Sequence, residues 1–350
     1  MNRTLRSTLL IASTSLLFLA PQAARAQVLA CGTVVTQSVT LQADVVCPPY
    51  MDGLTVGASN ITIDLNGYAV VGAWNAFQSP QSFGSGIVSS LFDGVTITNG
   101  YIKGFNTPIV LVGGKGHLVY KMEALIDQSY PVILNGTSFS VLENNDFRGI
   151  ELSSSFTNGS VGNRISGNRL GSGPGGGGGL LEVRECSTYE NVVEGNTITG
   201  EPGQVPPVVV VRNQAHGINF TGNTIVGSVQ FQGASNTFRK NRVSADPTAS
   251  WAVGVFRDRS ADPVFCKIDE GVGNQITDNS ITGAFHGIRV QSVSGVGVTH
   301  DNLITRNTFS RQSIGGIFFT VSAEDNDGRG NHYSSLPFPV IDHGRGNRWP

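Results

Sequence analysis

The sequence predicts an all-β solenoid, a chain wound into stacked coils of short strands, and three observations carry that expectation. The first is a repeated unit: Asn, any residue, an apolar residue, two further residues, then Asn, any residue and a second apolar residue. Copies run from Asn163 to Leu170, Asn191 to Ile198, Asn236 to Val243, Asn274 to Ile281 and Asn302 to Phe309. Self-similarity at a period of roughly 20–30 residues marks an architecture in which no single repeat can bury its own apolar face. The second is composition: there are 45 glycines in 350 residues, while the helix builders Lys, Glu, Leu and Met are scarce. The third is a series of short runs rich in β-branched and aromatic residues and bounded by Gly, Asn and Ser. These are Ile109–Val112, Val132–Leu134, Leu181–Arg184, Val208–Arg212, Val229–Gln232, Val253–Phe256, Ile288–Gln291 and Ile317–Thr320. Three short strands per turn is the natural count.

Taken in order, residues 1–26 read as an export signal. Arg3 and Arg6 precede an apolar stretch from Leu9 to Leu19, and Ala24-Arg25-Ala26 offers a small-residue cleavage site before Gln27. No later run is long enough to span a membrane, so a secreted or periplasmic protein without a membrane span is expected. Removing Arg3, Arg6 and Arg25 from the 23 basic residues leaves 20 against 25 acidic ones, a net charge of −5. That charge offers no footprint for nucleic acid.

Export also makes disulfides the default for the four cysteines. Cys31 and Cys47 bracket the first mature segment, and Cys186 and Cys266 end two candidate strands, so these pairs are expected. Four cysteines allow three connectivities, among which sequence does not choose. None lies in a Cys-x-x-Cys pair, which argues against a metal site.

The opening Cys31-Gly-Thr-Val, then Asp44-Val-Val-Cys47-Pro and Gly53-Leu-Thr-Val-Gly-Ala-Ser-Asn60-Ile-Thr-Ile-Asp64-Leu-Asn-Gly67, resembles the start of secreted right-handed parallel β-helix repeat proteins. The later Asn units are similar to repeats of the NosD-like and pectate-lyase-like groups. The resemblance implies a single-stranded, right-handed parallel β-helix with an N-terminal cap. The expected division is a leader at 1–26, a cap at 27–52, the β-helix at 53–335 and a C-terminal cap segment at 336–350, where the period dissolves around Pro337 and Pro339. The same fold hosts lyases, hydrolases, epimerases, adhesins and proteins with no known reaction. The Asn-Thr-Asp and Gly-His-Gly signatures of polygalacturonases, the Trp-x-Asp-His pattern of pectate lyases and the Asp-Pro-His-Asp motif of alginate epimerases are absent.

The repeated asparagines have a mechanical reading: Asn tolerates left-handed corners, and its amide can bond the same group one coil away. Two insertions interrupt the period. The run Gly171–Gly179 reads as a flexible corner rather than a phosphate cradle, since no Gly-Lys-Ser/Thr follows. The stretch from Asp258 to Gly271 is more charged and is expected to wall a groove.

Alternation within strands places Glu151, Glu182, Arg184, Arg212, Gln230, Gln232 and Arg289 on one outer wall, with Arg257 and Asp258 at a strand end. Coils about 4.8 Å apart match the length of a sugar unit, so the partner expected is an anionic polysaccharide. Arg184, Arg212, Arg257 and Arg289 would grip its carboxylates or sulfates through forked hydrogen bonds, with Glu151, Glu182 and Gln232 completing the surface. In the sharper form the groove performs β-elimination, with Arg212 and Arg289 neutralising a uronate and His216 or His286, each directly before Gly-Ile, as base. Glu151 and Glu182 are a second-choice hydrolase pair, which would need about 5 Å or 6.5–9.5 Å between carboxylates. The rival class is a non-catalytic periplasmic or surface protein: an adhesin, scaffold or maturation factor. Trp251, Phe256 and Phe318 are the aromatic residues nearest the proposed face. No cofactor is called for; Glu324-Asp325-Asn326-Asp327-Gly328 has oxygen ligands that suit calcium but reads as a solvated turn, and scattered histidines do not suit copper.

Overall fold

Short parallel strands, three to a coil, wind the chain into a right-handed parallel β-helix. The computed structural model describes residues 25–73, 84–124, 132–154, 159–171, 180–201, 203, 206–257, 268–292 and 297–349. Residues 1–24, Asp258, Cys266 and the glycine run beyond Gly171 lie outside them. One wall, called here the first, contains 13 described strands from Thr33–Val35 to Phe338–Asp342, each paired parallel with the next. The other two walls join into one hydrogen-bonded sheet, because Thr96–Lys103 and Leu118–Ala124 run through the corner that separates them elsewhere.

Every one of the runs singled out in the sequence contributes to the first wall. Its parity is as alternation requires: Leu181 and Val183 are buried while Glu182 and Arg184 face outward. Inside, Phe231 from the first wall meets Phe220 and Phe238 from the second at centroid distances of 5.6 and 5.4 Å. Such edge contacts add about 0.5–1.5 kcal/mol each beyond the area they bury.

The asparagines form two buried ladders. In one, the Asn163 backbone N–H and Nδ2 both donate to Asn191 Oδ1 at 2.8 and 3.0 Å, and the pattern resumes through Asn236, Asn274, Asn302, Asn326 and Asn347. Ile218 occupies the rung between, where its N–H still donates to Asn236 Oδ1. The other runs Asn145, Asn168, Asn196, Asn223, Asn241, Asn279, Asn307, Asn331. One sequence expectation is corrected here. The ladder asparagines do not themselves adopt left-handed backbone; the residue before each one does, as at Gly162, Glu190, Gly195, Lys240, Asp278 and Arg306. The left-handed residue turns the chain so that the next side chain points into the stack, and the amide then satisfies corner N–H groups that no strand partner can reach.

Both expected caps are coils in their own right. Thr33–Val35, Val39–Leu41 and Val45–Val46 pair with the coil above, and the strand Arg25–Gln27, which crosses the expected cleavage point, pairs with Val39–Leu41. Cys31 and Cys47 are disulfide-bonded, with Cα atoms 5.1 Å apart. Cys186 is also disulfide-bonded, and its expected partner, Cys266, falls outside the described residues. At the far end, Phe338–Asp342 continues the first wall and Asn347 the ladder. Among the described residues no helix is long and apolar enough to cross a membrane.

Candidate functional site

Register stacks the outward side chains of the first wall into columns. One column runs Glu151, Glu182, Val210, Gln230, Gly254, Arg289, Phe318, Ile341, and beside it lie Arg184 and Arg212. The predicted wall is therefore real as a surface, but its residues divide into two parts with different chemistry.

The first part neutralises itself. Arg184 donates from Nε and Nη2 to Glu151 Oε1 at 3.1 and 2.5 Å and approaches Glu182 at 3.8 Å. Arg212 grips Glu182 through Nε at 2.7 Å and through Nη2. Glu151 is 8% exposed, so its charge is compensated by Arg184 rather than by water. The carboxylates neighbouring Arg184 hold its proton more tightly than usual, against the opposing effect of burial, which is the largest single influence. Both glutamates of the second-choice hydrolase pair are thus held by arginines.

The second part is aromatic and under-satisfied. Trp251–Arg257 and His286–Ser292 pair in register, which sets Trp251 against His286 and Gly254 against Arg289. The Arg289 guanidinium lies 5.8 Å from the Trp251 ring and 5.6 Å from Phe318. Phe318 stacks on His286 at 4.7 Å and meets His343 edge-on at 5.7 Å, while Trp251 packs on Phe256 at 4.8 Å. Gly254 makes this possible: a Cβ there would fall 2.0 Å from Phe256 Cε2 and 2.8 Å from Trp251 Nε1.

Trp251 Nε1, His286 Nδ1 and Arg289 Nε are all buried without a hydrogen-bond partner among the described residues. No described carboxylate pairs with Arg289. Burial lowers its proton affinity from the ordinary guanidinium value, yet an arginine stays cationic. Burial first, and the Arg289 charge second, lower the pKa of His286 below the ordinary imidazole value, so this ring is neutral at pH 7. Cation–π contacts return about 0.5–2 kcal/mol, whereas each orphaned buried donor costs about 1–3 kcal/mol. The balance favours an incoming acceptor, above all an anionic one.

The remaining nominees sit elsewhere. His216 lies on a corner bridging Tyr189 and Ala234, stacked on Tyr189 at 5.3 Å with Nδ1 against Gln214 O, and burial lowers its pKa. Arg257 is 8% exposed and held by Asp269 at 2.8 Å and Val298 O at 3.1 Å. Gln232 lies on the wall between Arg212 and Phe256 and its N–H donates to Val211 O. In the calcium candidate, Asn326 is locked in the ladder and Asp327 binds Arg329, so those oxygens do not converge. Among the described residues no group of three or more His, Cys, Asp or Glu is placed to hold a metal ion. His343 went unnoticed in the sequence; Gly254 was the readable signal, because a glycine inside a strand marks close approach.

No known family profile matches this chain, and no curated protein sequence does either. Solved structures do. A periplasmic alginate epimerase is similar over 87% of this chain and 78% of its own, with a TM-score of 0.52 at 12% identity. The catalytic domain of an α-1,3-glucanase solved with tetrasaccharides is similar over 91% of this chain and 64% of its own, with a TM-score of 0.52 at 15% identity. An alginate lyase from a Paenibacillus species has a TM-score of 0.42 at 18% identity, covering 86% and 92%. The chain is thus a parallel β-helix protein, of a fold that an alginate epimerase and an α-1,3-glucanase share.

Proposed function

We propose that this protein is exported and binds an acidic polysaccharide along its first wall, with the reacting sugar at Arg289, and that it cleaves the chain by β-elimination. The observation that carries the reading is Arg289 itself: a cation without a carboxylate partner among the described residues, framed by Trp251 and Phe318, beside a neutral buried histidine. Aromatic rings stack on sugar faces, and the guanidinium fork suits a uronate carboxylate. Of the two arginines nominated from sequence, Arg212 is already bound to Glu182, so the catalytic role falls to Arg289.

Arg289 neutralises the carboxylate and acidifies the adjacent C–H. His286 takes that proton, the electron pair forms the C=C bond, and the glycosidic C–O bond breaks as the departing oxygen takes a proton from solvent. His286 is 9% exposed with Phe318 across one face, so the sugar must approach the edge of the imidazole.

The test is to incubate the protein with alginate, pectate, hyaluronan and chondroitin and follow ultraviolet absorbance of the unsaturated product. Product is expected with at least one polymer and none from Arg289→Ala. A flat trace with all four rejects the lyase, and absence of any polyuronate binding returns the protein to the non-catalytic class of scaffold or adhesin.

A further inference from the structure

A second concave surface lies on the corner between the other two walls, away from Arg289. Register there sets Ala69, Tyr101, Glu123 and Asp146 in one column. Tyr101 stands out of that column with 46% of its surface exposed. The space on either side of it is open because the neighbours are small. Gly67 has nothing within 4 Å of a notional Cβ, Ala69 is a single methyl, and Gly100 admits no side chain, since a Cβ would fall 2.4 Å from Leu65 Cβ.

The result is a divided groove. One half, of about 450 Å³, is lined by Asp44, Tyr101, Lys103 and Glu123; the other, of about 530 Å³, by Asn66, Asn99, Lys121, Glu123 and Asn144. Both fall within the range of small-ligand sites. Lys103 and Glu123 form no ion pair with a described residue, and Asp44 spends one oxygen on the Ala69 N–H at 2.8 Å, leaving the other for a ligand.

We infer that this corner is a second carbohydrate-binding site, selective for a neutral, hydroxyl-rich glycan. The exposed Tyr101 ring is a platform for the C–H face of a pyranose. Carboxylates and side-chain amides accept from adjacent hydroxyls, and Lys103 and Lys121 donate. Asp146 is already held by Arg169 at 3.7 Å, so Asp44 and Glu123 match Lys103 and Lys121 in charge, and a polyuronate finds no net positive potential there, whereas a neutral chain needs none. The groove thus differs in selectivity from the first wall, and it stands whether or not the first wall is catalytic.

The experiment is calorimetric titration of the full chain with cellohexaose, laminarihexaose, maltohexaose, mannohexaose and a hexamannuronate. At least one neutral hexasaccharide is expected to bind with Kd below about 1 mM. Tyr101→Ala is expected to weaken that binding about tenfold and Glu123→Gln severalfold, while Arg289→Ala leaves it unchanged. Tyr101 is exposed, so its removal spares the fold, and hexamannuronate binding serves as the control. The inference is overturned if none of the four neutral sugars binds, or if binding is indifferent to Tyr101→Ala. Loss of hexamannuronate binding alone in Arg289→Ala bears only on the first wall.

Discussion

Truncating one rung of the asparagine ladder isolates what the repeated motif does. In Asn196→Ala the backbone N–H still donates to Asn223 Oδ1 at 2.9 Å, but the side chain's own bonds vanish. Its Oδ1 accepts from the Asn168 N–H at 2.8 Å and from Asn168 Nδ2 at 3.0 Å, and its Nδ2 donates to Ile165 O and to Asn223 Oδ1. Asn168 Nδ2 retains Leu142 O, so the losses that matter are one backbone donor and one donor to a carbonyl, both buried. At about 1–3 kcal/mol for each orphaned group, the expected destabilisation is about 2–6 kcal/mol, a large part of the 5–15 kcal/mol typical of a domain. Gly195→Ala is the control for backbone strain: with φ of 62° and open space around it, its cost is the left-handed penalty alone, about 1–2 kcal/mol. Urea denaturation gives the total. Because stability in a solenoid is a sum over coils and their interfaces, amide hydrogen exchange at Asn168 should accelerate first. A loss below about 0.5 kcal/mol, or no change at that amide, would show that the ladder is bystander packing and refute the reasoning.

Three further outcomes follow from the same geometry. Arg184→Ala strands the nearly buried Glu151 carboxylate and should destabilise by about 3 kcal/mol, while Glu151→Gln combined with Arg184→Gln should recover much of it; equal losses in both, measured by urea melts, would argue against charge compensation. Gly254→Ala pushes a Cβ into Phe256 and Trp251, so near-ultraviolet circular dichroism should change and polyuronate binding fall; an unaltered spectrum with intact binding would detach the ring pair from the site. His117 is buried, with Nδ1 unpartnered among the described residues, and burial lowers its pKa below 6.5 despite opposing contributions from Gly113 O and Asp93. A histidine with a depressed folded pKa stabilises fully above its unfolded value and loses that contribution as pH falls through 6.5 toward the folded value. His117→Asn should therefore flatten the acid limb of the stability curve.

Much of the fold was legible because the repeat obeys two simple rules at once. Alternation set Leu181, Val183, Ile288 and Val290 inward, and the fixed spacing of paired asparagines announced the stack. What the motif concealed was the division of labour at the corner, since Lys240, Asp278 and Arg306 do not look like left-handed residues; their backbone is dictated by the coil and not by their own preference. The wall was legible as a list of residues but not as a set of partners. Parity alone cannot tell that Arg184 and Arg212 bend toward Glu151 and Glu182 while Arg289, one column over, meets rings and no described carboxylate. That distinction depends on which coil lies above which, and the variable loops between coils hide this vertical order from the linear sequence. The Tyr101 groove was invisible for the same reason, since Ala69, Tyr101 and Glu123 become neighbours only through register.

The measurement that bears most directly on the functional reading is nuclear magnetic resonance of labelled protein titrated with a hexauronate. The Trp251 indole N–H and the Arg289 Nε–H, both lacking a partner among the described residues, should shift together and saturate with one affinity, as a carboxylate and a sugar face fill the space between the rings. If those two resonances stay in place while hexauronate binds, or if no resonance on the first wall moves at all, Arg289 is not where the acidic sugar sits.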